Sequence, residues 1–158
     1  MALDGFVRCT CVRDGKAKPH PFPDKLTLDE ANEPVLNGDA SDDEWEAHDL
    51  WLEDCCEHGG FLISEFLGNI TRVQNLRGFL RGLQGTPGPR FPILLEEVLY
   101  DGTHTGDWVP KEHTAALQKE VDTVLQSIDI LTESEKEFFE AMKRLCAAGM
   151  ETGNPILF

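Results

Sequence analysis

Positive charge is scarce in this chain: 14 Lys and Arg stand against 29 Asp and Glu, for a net charge of −15. Between Leu26 and Thr71 there is no Lys or Arg at all. A chain so negative repels phosphate, which argues against nucleic acid and against anionic membrane surfaces as partners. No run of ~18 apolar residues is present, so no membrane-spanning helix is expected. The opening Met1-Ala2-Leu3-Asp4-Gly5 lacks a charged and then apolar leader, so a cytoplasmic location is expected. There is no phosphate-cradling Gly-rich loop, no Gly-x-Ser-x-Gly elbow and no His-Glu-x-x-His pair, and hence no motif for an enzyme or a cofactor. The five cysteines are an odd number without a repeated pair at zinc-finger spacing, which fits reduced thiols.

What is there suffices for a fold. The apolar fraction of 41% over 158 residues supports one domain with a core. The expected class is α+β, mainly α, with a small N-terminal antiparallel sheet and four or five helices. Strand and loop are expected over 1–40, helices over 41–150 and a tail over 151–158. Gly5 to Val12 alternates like a strand, with Cys9 and Cys11 on one side, and Asp14-Gly15 turns it. Lys25 to Leu28 and Val35-Leu36 suit brief strands around an acidic loop. Ser41 with Glu44, and Thr132 with Glu135, are capping boxes that open helices. In the first, Trp45, His48, Leu52 and Cys55 or Cys56 form the inward stripe, and Gly59-Gly60 stops it. Phe61 to Leu67 reads as strand or helix, because a short apolar run does not distinguish them. Helices are expected over Ile70 to Leu83, Phe91 to Tyr100, Lys111 to Ile128, and from Thr132 to about Ala148, where Gly149 and Gly153 end the last one. Trp108-Val109 is extended, and Asn154 to Phe158 is a docked strand or a frayed end.

The acids define the leading candidate surface. Asp29, Glu30, Glu33, Asp39, Asp42, Asp43, Glu44, Glu46, Asp49, Glu53, Asp54, Glu57 and Glu65 all fall in the stretch without Lys or Arg. A one-sign block of this length points to a positive partner. Asp42, Asp43, Glu46, Asp49, Glu53 and Asp54 are the partner-binding candidates; Trp51 reads either as an exposed aromatic anchor among them or, more simply, as core. Arg72, Arg77 and Arg81 form the one compact basic group, expected to pair with the acidic helix. Two other constellations carry possible chemistry. Cys9, Cys11, Cys55 and His58 supply four zinc-type donors, although adjacent cysteines diverge by about 100° on a helix, and small buried thiols are the simpler reading. The loop Asp101-Gly-Thr-His104-Thr-Gly-Asp107 places a histidine between carboxylates, as a general base, a ligand or a polar turn.

Arg90-Phe91-Pro92-Ile93-Leu94-Leu95, Leu99-Tyr100-Asp101-Gly102 and the following helix from Ala115 to Ile128 resemble one family of bacterial immunity proteins. The resemblance implies a cytoplasmic, non-enzymatic inhibitor that neutralises a cognate bacterial toxin. Its motifs are core-type residues and transfer no toxin contact, so the acidic surface is argued from charge alone: it would match a basic protein toxin. The alternative is a small metal-binding enzyme or a zinc-stabilised regulatory protein.

Overall fold

The computed structural model describes residues 2–84, 90–99 and 107–158. Four antiparallel strands form the main sheet in the order β4-β1-β6-β5: β1 (Ala2–Arg8), β4 (Phe61–Asn69), β5 (Trp108–Val109) and β6 (Ile156–Leu157). The sheet is small and antiparallel, as expected, but both ends of the chain build it. β6 lies between β1 and β5, through Val7↔Ile156 and Val109↔Ile156, so the tail is a docked interior strand. A second pair, β2 (Leu26–Leu28) with β3 (Pro34–Leu36), stands apart from it.

Four α-helices are present among the described residues: α1 (Asp42–Asp54), α2 (Ile70–Leu83), α3 (Lys111–Leu125) and α4 (Glu133–Thr152). Both expected capping boxes form, at Ser41 and at Thr132. The apolar run at Phe61 resolves as strand β4, because it pairs along nearly the whole of β1. Phe91 to Leu99 coils as expected, with a π-helical turn at Leu94–Val98. The carboxylate of Glu120 on α3 accepts the Ile93 and Leu94 amides at 3.1 and 2.9 Å, satisfying donors that the start of a helix leaves unpaired. No helix among the described residues is long and apolar enough to cross a membrane.

One face of the sheet takes α4, packed beside α3. Phe138, Phe139, Met142 and Leu145 of α4 are fully buried against Val7 and Leu67. Contact is close: a Cβ added at Gly5 of β1 would come within 2.7 Å of a Leu145 methyl. Gly149 does not end α4, contrary to the sequence expectation. It lies inside the helix, where an added Cβ would meet the Thr114 methyl on α3 at 3.2 Å. The helix ends at Gly153, in the left-handed conformation at φ 68° that glycine adopts readily.

β1 stops at Arg8, short of the expected Val12. The register shifts between Val7 and Arg8, and the chain then turns, the Asp14 amide donating to the Thr10 carbonyl at 2.8 Å. Cys9 and Cys11 therefore sit in a turn beyond the strand. The reason is local: the Lys16 amide also donates to the Cys11 carbonyl at 2.8 Å, so the turn satisfies backbone groups that further pairing would have used, and the Thr10 hydroxyl braces it by donating to the Asp14 carboxylate at 2.8 Å.

Candidate functional site

Because β1 and β4 pair antiparallel with Arg8 opposite Phe61, the residues just after Arg8 lie beside those just before Phe61. The Cys9 amide donates to the Gly60 carbonyl at 3.1 Å and extends this neighbourhood. Two short motifs, Cys9-Thr-Cys11 and Cys56-Glu-His58, thus meet at the end of the sheet. The thiols of Cys9, Cys11 and Cys56 and a ring nitrogen of His58 all lie within 4.8 Å of one another. Sγ of Cys9 is 3.6 Å from Sγ of Cys56, and Sγ of Cys11 is 3.3 Å from Nδ1 of His58. Three sulfurs and an imidazole nitrogen are a donor set that suits a soft or borderline metal ion.

The fourth member differs from the sequence expectation. Cys55 is outside the group: fully buried at the end of α1, its thiol donates to the Leu52 carbonyl at 3.5 Å. Cys56, past the helix, takes its place. The 100° divergence of neighbours separated the two, and the turn closed by Gly59 and Gly60, both at positive φ, swung Cys56 toward β1.

The environment favours one thiolate. Burial works against ionisation of Cys56, but the Gly60 and His58 amides and the Cys9 and Cys11 thiols, all directed at its sulfur, outweigh it and hold it at about 6. Burial and the neighbouring thiols push Cys11 up to about 12, and burial beside Cys56 pushes Cys55 up to about 11. Burial likewise raises Cys9, opposed by the Cys11 amide. Cys146, within the core of α4, is pushed up to about 12 by burial and is remote in role.

The acids of α1 occupy one side of that helix. On a helical projection Asp42, Asp43, Glu46, Asp49 and Glu53 fall within an arc of about 120°. All five are exposed, and none makes an ion pair among the described residues. The other two behave differently: Lys18 pairs with Asp54, and Lys25 pairs with Glu44 at 2.6 Å, lowering the Glu44 carboxyl. The arginines do not neutralise this face, contrary to expectation. Arg72 binds the Ser134 carbonyl and lies 3.7 Å from Glu137 on α4. Arg77 and Arg81 line a separate cleft with Arg90. α2 packs on β4, and this carries its cations away from α1.

Trp51 follows its core reading and not the anchor one. It is partly buried, its indole N–H donates to the Lys18 carbonyl at 3.0 Å, and its ring meets His20 edge-on at 4.6 Å. The exposed apolar side chains of α1 are Leu50, at 62%, and Trp45, at 40%, which the sequence placed on the inner stripe. On the covered side of α1, His20 and His48 form a buried relay. The Phe22 amide donates to Nδ1 of His20, Nε2 of His20 lies 3.0 Å from Nδ1 of His48, and Nε2 of His48 lies 3.2 Å from the Pro34 carbonyl. Only neutral rings with both protons on Nε2 satisfy every contact. Periodicity marked His48 as inward, but nothing in the sequence marked His20 as its partner.

Of the remaining candidates, Asp101 and His104 lie outside the described residues, as does the Tyr100–Gly102 part of the resemblance. Asp107 accepts the Phe158 amide through its backbone carbonyl at 3.0 Å. Phe91, Ile93, Leu94, Val98 and Leu99 are core side chains. No protein-family model matches the chain, and no curated protein and no solved structure resembles it at a significant level.

Proposed function

We propose that this chain is a non-enzymatic binding protein that meets a basic protein partner through α1, in the manner of an immunity protein that neutralises a bacterial toxin. The observation that carries the reading is the unpaired acidic side of α1. Asp42, Asp43, Glu46, Asp49 and Glu53 share one face, and Arg72, Arg77 and Arg81 lie away from it. Leu50 stands among these carboxylates, with Trp45 at their margin, so the surface offers apolar anchors inside a charged rim. Such a face accelerates encounter with a basic cleft and, once seated, keeps an anionic substrate out of it.

The immunity reading places a toxin gene beside this one, and the purified toxin domain is the test ligand. Reversing charge at Asp49 and Glu53 together, as Asp49→Lys with Glu53→Lys, should weaken binding by roughly tenfold or more and flatten its salt dependence. The same affinity for wild type and double variant would remove α1 as the contact face.

A further inference from the structure

We propose that Cys9, Cys11, Cys56 and His58 bind one zinc ion, through three thiolates and Nδ1 of the histidine, and that this ion fastens residues 9–60 to the sheet. The inference stands independently of the acidic-face reading.

The geometry is the first support. A tetrahedral zinc with Zn–S near 2.3 Å and Zn–N near 2.0–2.1 Å sets its sulfurs about 3.8 Å apart and sulfur from nitrogen about 3.6 Å apart. The Cys9–Cys56 separation is 3.6 Å and the Cys11–His58 separation is 3.3 Å, so small shifts complete the polyhedron. Outer contacts suit coordinated thiolates. The Cys11 amide is directed at the Cys9 sulfur, and the His58 and Gly60 amides at that of Cys56. The other nitrogen of His58 lies 3.8 Å from a Glu57 carboxylate oxygen, on the side where ligating histidines usually find an orienting partner.

The second support is a deficit in packing. Among the described residues, the main hydrophobic cluster draws no side chain from residues 9–60, whose buried apolar groups, Cys11, Ala31, Leu36 and Cys55, lie outside it. A segment that stands outside the main cluster gains from a cross-link that holds its loops, and its cysteines are all free thiols. The four donors come from both ends of the segment, so one ion closes it into a loop. Four protein ligands fill a tetrahedron and leave no position for water, which makes the ion structural. Binding releases thiol protons to solvent. Three thiolates with one zinc leave a net charge of −1, so the ion does not neutralise the nearby acids.

The test is metal content of the full chain, purified in reducing buffer without chelator. About one zinc per chain is expected in wild type, Cys55→Ser and Cys146→Ser, and less than about a tenth of that in Cys9→Ser and Cys56→Ser. Cobalt(II) exchanged into the wild type should give the visible bands of a tetrahedral site with thiolate charge transfer, which reads the donors even if a serine variant fails to fold. Removal of the ion should speed amide exchange across 9–60 while α3 and α4 remain protected. A folded wild type that takes up neither zinc nor cobalt would overturn the site. So would an octahedral cobalt spectrum, or a Cys55→Ser variant as depleted as Cys56→Ser. Unchanged exchange across 9–60 after metal removal would overturn the fastening role.

Discussion

Residues 9–60 and residues 61–158 are held by different forces. The later region carries the helices that pack on the sheet, and Phe138, Phe139, Met142 and Leu145 there are fully buried. The earlier region is joined by polar contacts: the thiol and histidine group, the His20–His48 relay, Lys25 with Glu44, and Arg8 with Glu33. Burying apolar area is non-directional and tolerates small movements, whereas hydrogen bonds and ligand sets demand particular atoms at particular distances. The contrast teaches that the stable scaffold and the charged face are built separately, and that the second depends on a few specific residues.

The largest effect should come from the core. Phe138→Ala should cost about 3–5 kcal/mol and lower the melting temperature by on the order of 10 °C, read by calorimetry. On α1, Leu50→Ala should change stability by no more than about 0.5 kcal/mol, since that side chain already faces water. Equal losses in the two variants would mean that both regions rest on the same kind of packing.

An intermediate effect is expected where the regions join. Asn154 is buried, and its amide donates to the Arg8 carbonyl at 2.8 Å while its oxygen accepts from Asn32 at 3.1 Å and Arg13 at 3.3 Å. Asn154→Ala strands these groups and should cost about 1–3 kcal/mol. Amide exchange should rise over 9–60 before it rises in α3 or α4. The reverse order would place the weak joint elsewhere.

The smallest effect concerns pH. Burial, then the neighbouring His20, lowers His48, so the folded state prefers the neutral ring. Its contribution to stability is therefore complete above the unfolded pKa of about 6.5 and is lost as the pH falls through the lower folded value. Between about pH 7 and pH 5 the melting temperature of wild type should fall more steeply than that of His48→Phe. Parallel curves would show that the relay does not titrate.

Local features were the legible ones. Ser41 and Thr132 announced their helices because a capping box satisfies its amides within four residues. Ile70–Leu83 formed over its expected bounds, with Val73, Leu76 and Leu80 of its apolar period buried and Ile70 exposed. Cys56 was missed in favour of Cys55 because helical geometry alone does not say where the turn after α1 points. The inward place given to Trp45 failed for a related reason. The side of α1 that is covered depends on the loop carrying Lys18 and His20, which is distant in sequence.

The sign of this surface, the helix starts and the α+β class were already set by residues close along the chain, since charge, capping and periodicity are local properties. Folding in three dimensions was needed to bring β6 beside β1, to join Cys56 to Cys9, Cys11 and His58, and to carry the α2 arginines away from α1. Each of these is a long-range pairing, selected by how strands and helices fit together in space, and spacing along one chain does not encode it.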